Sequence, residues 1–343
     1  MFNKKGGITL AGNILTDVVK TVDCYPNIGM LANISDVSRA VGGAVPNTGI
    51  DLKKIDKNLR VTAIGKIGND EGGEYLLSQF DKYGIERDKV KVSDTKPTSF
   101  SDVMSMPSGE RTFFHARGAN AEFSPEDIDV AALDCDVFHI GYILLLDAMD
   151  KADPVYGTVM AGLLKEVQEK GIKTSIDVVS DSTADYKAKI VPALKYCNYA
   201  IMNEIESSMI TDLAPFNEDK TLNIPNIRKT MVIMAEYGVK DKIIIHCKEA
   251  GFCYDVKTGE FTASPSLNIP KDKIKGSVGA GDAFCAGALY GIYNNFSDKE
   301  ILDFASSAAA CNLFAENSID GMKTAEEIKN MAAIYGRKEM ELC

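Results

Sequence analysis

The densest group of residues able to do chemistry is Gly276-Ser277-Val278-Gly279-Ala280-Gly281-Asp282. Its glycines let the backbone turn tightly and approach a ligand closely. The small-residue run Ala283 to Leu289 that follows reads as a helix, and its first amides would point back at the turn as an anion site suited to phosphate. A carboxylate at that place is unexpected. Asp282 either caps the helix, as Asp often does, or serves as a base toward a substrate proton, and the local sequence leaves both readings open. The P-loop lysine is missing, and a Gly-x-Gly-x-x-Gly frame begun at Gly279 meets Phe284 where its last glycine should stand. Neither common nucleotide fingerprint applies.

The elements that must position this turn alternate along the chain. Ile8 to Asn13 reads as a short strand that leaves Asn13 to Asp17 at a strand's C-terminal end, where open α/β sheets place ligands. Residues 22 to 41 lack helical periodicity and read as short strands or loop able to cover a site. From Val41 onward helices and strands alternate: a helix around Gly49 to Leu52, a strand at Val61 to Ile64, a helix from Glu71 to Tyr83 closed by Gly84, and a strand at Val137 to Ile140. A helix from Val155 to Lys170 follows, then strands at Thr174 to Asp177, Tyr199 to Met202 and Ile243 to His246. Such alternation predicts a mainly parallel sheet with crossover helices. Thr98 to Phe114 reads as two strands around the turn Pro107-Ser108-Gly109, and Asp282 to Tyr335 as mostly helical. The expectation is one domain over residues 1–343 with cover segments near 15–41 and 98–116.

Composition narrows the function. The 343 residues are 45% hydrophobic and 25% charged, values of a chain that buries a sizeable core. A net charge of -11 argues against nucleic acid and against an anionic membrane as partners. No run approaches the roughly 18 apolar residues of a membrane span, and the N-terminus turns polar too soon for a signal peptide, so the expected location is cytoplasmic. The eight cysteines include no Cys-x-x-Cys pair and lie mostly in apolar runs, which favours reduced thiols over disulfides or a zinc site. His115 and His139 are single histidines on strands without ligand spacing and read as structural.

Taken together, these residues resemble the ribokinase-like, or PfkB-type, carbohydrate kinases. The family's C-terminal signature, Asp-Thr-x-Gly-Ala-Gly-Asp, is matched by Gly279-Ala280-Gly281-Asp282, with Ser277 in place of Thr and Gly276 in place of the first Asp. The N-terminal signature appears as Gly42-Gly43-Ala44-Val45-Pro46-Asn47, followed by Gly65-Lys66-Ile67-Gly68-Asn69-Asp70, Gly73, Tyr83-Gly84-Ile85 and Pro97-Thr98. Asn203-Glu204-Ile205-Glu206 matches an Asn-x-x-Glu motif. The similarity runs in order from residue 8 to about 330.

The resemblance implies a three-layer α/β sandwich with a mainly parallel central sheet and a small β-sheet lid, and an ATP- and Mg²⁺-dependent sugar kinase. Asp282 would be the base, with the amides of Gly279, Ala280 and Gly281 stabilising the transferred phosphoryl group. Asp17, Gly42, Gly43 and Asn47 would bind sugar hydroxyls. Asn203 and Glu206 would hold Mg²⁺ through its water shell, and Asn203, Gly251, Ser306 and the anion turn would meet the nucleotide. Lys248 reads as solvated. The absent signature Asp at Gly276 leaves dependence on a monovalent cation open, and the lid pairs two subunits in many relatives. No cation stands among Asp17 and Gly43 to Asn47, which favours an unphosphorylated sugar or sugar acid of the ribose, fructose or 2-keto-3-deoxygluconate class, phosphorylated on a primary hydroxyl. Arg117 is the one basic candidate nearby. A nucleoside kinase of the same fold is the alternative; a non-catalytic sensor fits less well, since Asp282 and the anion turn are both kept.

Overall fold

The computed structural model describes residues 6–106, 110–181 and 184–340. In chain order the elements are β1 (Ile8–Gly12), β2 (Leu15–Val22), β3 (Ile34–Gly42), α1 (Ala44–Ile55), β4 (Val61–Gly68), α2 (Glu71–Tyr83), β5 (Glu86–Ser93), β6 (Ser99–Ser105), β7 (Arg111–Ala116) and β8 (Val137–Ile143). A two-residue pair, β9 (Ala152–Asp153) and β10 (Gly157–Thr158), precedes α3 (Val159–Glu169), β11 (Lys173–Val178), α4 (Tyr186–Leu194), β12 (Tyr199–Asn203), α5 (Glu204–Thr211), α6 (Ile224–Glu236) and β13 (Lys242–His246). The chain closes with β14 (Ala250–Asp255), β15 (Glu260–Pro265), α7 (Ala280–Tyr293), α8 (Asp298–Asn312) and α9 (Ala325–Tyr335).

Nine strands form one sheet in the order β15-β14-β13-β12-β11-β8-β1-β4-β5. The segment from β13 to β5 is parallel, and β14 and β15 add an antiparallel edge. Side chains that alternate along each strand divide between two cores. Ile244 and Val137 face one core, with residues of α1, α2, α7, α8 and α9. Ile243, Ile245 and Phe138 face the other, with residues of α3 to α6. This two-sided burial is why β12 and β13 carry the apolar runs Tyr199–Met202 and Ile243–Ile245 and why the molecule is a three-layer sandwich.

A separate four-stranded sheet, β3-β2-β6-β7, stands beside the mouth of the large one. It contains the predicted cover segments. After Gly12 the chain turns through Asn13 and Ile14 straight into β2, so Asp17 lies on this small sheet and not at the end of β1. The predicted helix from Val155 begins only at Val159, where Thr158 caps it by accepting from the Ala161 amide; the four residues before it are spent on the β9–β10 pair. The predicted turn Pro107-Ser108-Gly109 lies outside the described residues.

One core residue conflicts with its surroundings. Asp51 on α1 is fully buried, and neither carboxylate oxygen has a hydrogen-bond partner among the described residues. Burial, and then the nearby Asp282 carboxylate, push its pKa well above the ordinary range against a smaller opposing effect of Lys54. A carboxyl raised in this way adds stability below its unfolded pKa, near 4, and that stability is lost as pH rises toward the folded value. Asp51→Asn is therefore expected to raise the Tm by a few degrees at pH 8, with the gain shrinking to almost nothing near pH 4. Thermal unfolding of both proteins across that range checks this, and a pH-independent difference would reject it.

Candidate active site

The C-terminal ends of β8, β11, β12 and β13 and the first turn of α7 surround a cavity of about 1340 Å³, with the small sheet along its rim. A single small-molecule pocket is commonly about 300–1,000 Å³, so two substrates have room here.

Asp282 is deeply placed. The residue capping α7 is Gly279, in the left-handed region at φ 77°, and Asp282 is the third residue of the helix, so the N-cap reading of Asp282 does not hold. Its Oδ2 accepts from Asn47 Nδ2 at 2.9 Å and from the Tyr142 hydroxyl at 3.0 Å. Ser318 Oγ in turn donates to Asn47 Oδ1 at 2.8 Å, which fixes which way the Asn47 amide points. With both donors on Oδ2, Oδ1 takes no hydrogen bond from the described residues. Burial, then the neighbouring Asp177 charge, raise the Asp282 pKa to about 7, while the bonds from Asn47 and Tyr142 hold it down. A carboxyl poised near neutrality is suited to accept a proton there.

The glycines act through space. Gly43, at φ 89°, lets α1 start directly against the Asn13 carbonyl, which a Cβ would meet at 2.6 Å. Gly42 leaves room for the Asp17 carboxylate beside it. At the anion turn the Ala280 amide folds back to Ser277 O at 3.2 Å, so of the three amides expected to face phosphate this one is already engaged. Gly279 and Gly281 line the cavity. At Gly276 a Cβ would meet the Ala315 carbonyl at 2.9 Å.

Beside the small sheet, Asp17 lines the cavity and burial raises its carboxyl to about 7, with Arg111 pulling the other way. Arg117 also lines it, but its guanidinium is held by Asp147 at 2.9 Å and by the Leu144 carbonyl at 2.7 Å. The expectation of a single nearby cation is corrected: Arg111 and Lys275 line the same cavity. Arg111 comes from β7 and reaches the Glu316 carbonyl across the mouth at 3.0 Å. Its position in sequence, beyond the turn and far from Asp17, concealed this.

On the opposite side stand Asn203, Glu206 and His246. Asn203 and Glu206 form a capping box on α5: Asn203 Oδ1 accepts from the Glu206 amide at 2.8 Å, and Glu206 Oε2 accepts from the Asn203 amide at 2.9 Å. Ser180 donates to Glu206 Oε1 at 2.8 Å, and burial raises that carboxyl to about 8. With its oxygens bonded within the protein, the pair fits a cation that keeps its own water shell. Gly251 and Ser306 are not among the cavity-lining residues. Gly251 pairs with His246 across the β13–β14 hairpin and packs against Phe284 and Leu302, while Ser306 is buried on α8 with no hydrogen-bond partner for its hydroxyl among the described residues. Lys248 is exposed, as expected.

Sequence reasoning missed Tyr142 and Asp177. Tyr142 adopts φ 59°, a strained conformation for a bulky residue, held in part by its amide donating to Asp177 Oδ1 at 2.6 Å. Nothing local announces this; only strand register brings the two together. His115, read as structural, lines the cavity with Nδ1 bonded to Ser101 Oγ at 3.1 Å and a buried Nε2 lacking a partner in the described protein.

A family model described as pfkB family carbohydrate kinase matches residues 8–325. A 5-dehydro-2-deoxygluconokinase of Clostridium beijerinckii is 24% identical over 311 residues, covering 88% of this chain and 86% of that protein. A ribokinase of Schizosaccharomyces pombe is 21% identical, covering 94% of this chain and 96% of its own. Among solved structures, an Arabidopsis thaliana ribokinase complexed with ribose and ATP superposes with a TM-score of 0.77 at 18% identity, over 95% of this chain and 98% of that one.

The two glycines of the turn are expected to respond differently to a methyl group. At Gly279 a Cβ would lie 2.5 Å from Ser318 Cβ in a left-handed backbone, whereas at Gly281 the nearest atom is His246 Cε1 at 3.6 Å. Gly279→Ala should destabilise the fold by about 1–3 kcal/mol, and Gly281→Ala by less than about 1 kcal/mol. Denaturant unfolding of both variants checks this; equal losses would contradict the assignment of strain to Gly279.

Proposed function

The chain belongs to the pfkB family of carbohydrate kinases, and on that premise we propose that it transfers the γ-phosphate of ATP to a primary hydroxyl of an unphosphorylated sugar or sugar acid, with Asp282 as the base. The observation that carries this reading is the one-sided clamp on Asp282, whose Oδ2 is bonded by Asn47 and Tyr142 while Oδ1 is left for substrate. The substrate hydroxyl gives its proton to Oδ1, its oxygen bonds to the γ-phosphorus, and the bond to the β-phosphate oxygen breaks to leave ADP. Backbone amides at the start of α7 stabilise charge on the phosphoryl oxygens. Asn203 and Glu206 would hold Mg²⁺ through its water shell, and the ion would supply charge neutralisation on the phosphates.

Several features favour an acidic sugar. Arg111 and Arg117 line the cavity, Arg117 is already paired with Asp147, and the Clostridium beijerinckii relative is named for a gluconate derivative. Arg111 is therefore assigned to the carboxylate and Asp17 to hydroxyls. A carboxyl near neutrality can donate as well as accept hydrogen bonds, which suits a polyol. The face of the small sheet turned away from the cavity also exposes Val37 and Phe114, apolar side chains that support pairing with a second copy of the chain.

Asp282→Asn should keep the fold and lower kcat by roughly 10² to 10⁴; near-normal turnover would remove the mechanism. Because the base must be deprotonated, kcat is expected to rise through about pH 7, the value to which Asp282 is raised. The Tyr142 hydroxyl stabilises the carboxylate, so Tyr142→Phe should move this rise to higher pH. An unmoved profile would detach Tyr142 from the base.

Substrate choice is tested by kcat/KM for fructose, ribose, 2-keto-3-deoxygluconate, adenosine and fructose 1-phosphate, following ADP release. Arg111→Ala should lose about 10- to 100-fold on the sugar acid, as expected for a lost charged hydrogen bond of about 1.5–3 kcal/mol, and little on neutral sugars. Arg117→Ala should lower all substrates together. A preference for adenosine or fructose 1-phosphate in the wild type would overturn the assignment.

A further inference from the structure

Directly beneath the base lies a cluster that the kinase reading does not use. His139 on β8, Asp177 on β11 and Cys285 on α7 are all buried, with ligand atoms within 4.8 Å of one another. They are 38 and 108 residues apart in sequence, so no motif joins them. His139 Nε2 is 3.3 Å from Asp177 Oδ2 and 3.8 Å from Cys285 Sγ.

These separations match a tetrahedral metal. Zinc bonds of about 2.0 Å to nitrogen and oxygen and about 2.3 Å to sulfur, at tetrahedral angles, set N···O near 3.3 Å and N···S near 3.6 Å. The surrounding bonds orient the ligands for it. Ser175 Oγ lies 3.0 Å from His139 Nδ1; when Nδ1–H donates there, the Nε2 lone pair points into the cluster, the usual outer support of a metal-binding histidine. The Tyr142 amide holds Asp177 Oδ1, which leaves Oδ2 to the cluster. In that tautomer Nε2 and the carboxylate oxygen are two acceptors facing each other, a pairing that a cation or a shared proton must relieve. Asp177 and Cys285 line the substrate cavity, so the fourth coordination position opens toward it.

We propose that His139, Asp177 and Cys285 form a binding site for a soft divalent cation of the zinc class, with three protein ligands and a fourth position open to the substrate cavity. Nitrogen and sulfur donors select zinc-like ions over Mg²⁺, which takes oxygen ligands. On binding, the Cys285 thiol loses its proton to solvent and becomes a thiolate ligand, with His139 Nε2 and Asp177 Oδ2 as the other two donors. Cys285 lies one helical turn after Asp282, so the two side chains share a face of α7. A dication there stabilises the Asp282 carboxylate and makes it a weaker base. Occupancy therefore inhibits phosphoryl transfer, a consequence that rests on the proposed role of Asp282; the binding site itself does not.

The test is a titration of the reduced, intact protein with Co²⁺, a spectroscopic substitute for zinc, with Cys24, an exposed thiol, replaced by serine. One equivalent should bind with the absorption of tetrahedral cobalt and a thiolate charge-transfer band, release about one proton, and be displaced by Zn²⁺ but not by excess Mg²⁺. Cys285→Ala and His139→Gln should abolish the band and weaken binding more than about 100-fold, while Ser175→Ala should weaken it about 10-fold. Circular dichroism verifies folding, and the wild-type spectrum and proton release decide the matter where a variant does not fold. No stoichiometric binding, an octahedral spectrum without the thiolate band, or binding unchanged in folded Cys285→Ala and His139→Gln would overturn the site. Chelator-reversible zinc inhibition in the wild type and its absence in Cys285→Ala are expected. Binding without inhibition would keep the metal site and instead reject the link to Asp282.

Discussion

A carboxylate buried at the mouth of a parallel sheet is costly unless its charge is compensated, and the architecture around the cavity is organised about that cost at Asp282. Asn47 reaches it from α1 and Tyr142 from the end of β8, so three elements distant in sequence meet on one oxygen. Each arm has its own support, since Ser318 fixes the Asn47 amide and Asp177 fixes the Tyr142 backbone. The clamp sets both the position of this carboxylate and its proton affinity. Removing either donor would leave the other to hold a charge in a poorly solvated place.

Acidic groups crowd this floor. Asp17, Asp177 and Asp282 share the cavity, with Asp51 buried behind on α1. Their mutual repulsion helps keep Asp282 and Asp51 above the ordinary carboxylate range. Such a site gains when cations arrive, whether a substrate-bound Mg²⁺ at one end, the guanidinium of Arg111 from the small sheet, or a metal among His139, Asp177 and Cys285. The crowding also explains why the sheet alone does not complete the site: part of the compensating charge comes from β7, on the separate sheet.

That small sheet brings two charged side chains to the cavity. Asp17 and Arg111 sit on two of its strands, and Arg111 bonds to the Glu316 carbonyl on the main body. A group that engages Arg111 would act on the same side chain that ties the small sheet to the main body.

The sequence by itself determined the layered fold and the reactive turn, because both are written in local patterns. Alternating strand and helix periods specify a mainly parallel sheet, and Gly279-Ala280-Gly281-Asp282 specifies a helix start that few other sequences need. It also led to Asp17, Gly43, Asn47, Asn203 and Glu206, all of which line the cavity. What it did not reveal depends on distance through space. That Asp282 is clamped and not a cap follows from where α1 and β8 pack against α7. Tyr142 and Asp177 take their places from the register of neighbouring strands, and Gly251 and Ser306 lie outside the cavity lining because Phe284 and the packing of α8 cover them. Arg111, His115 and the His139-Asp177-Cys285 cluster are single residues without local signature. Only folding, by bringing strands and helices far apart in sequence within a few ångströms, decides what each of them touches.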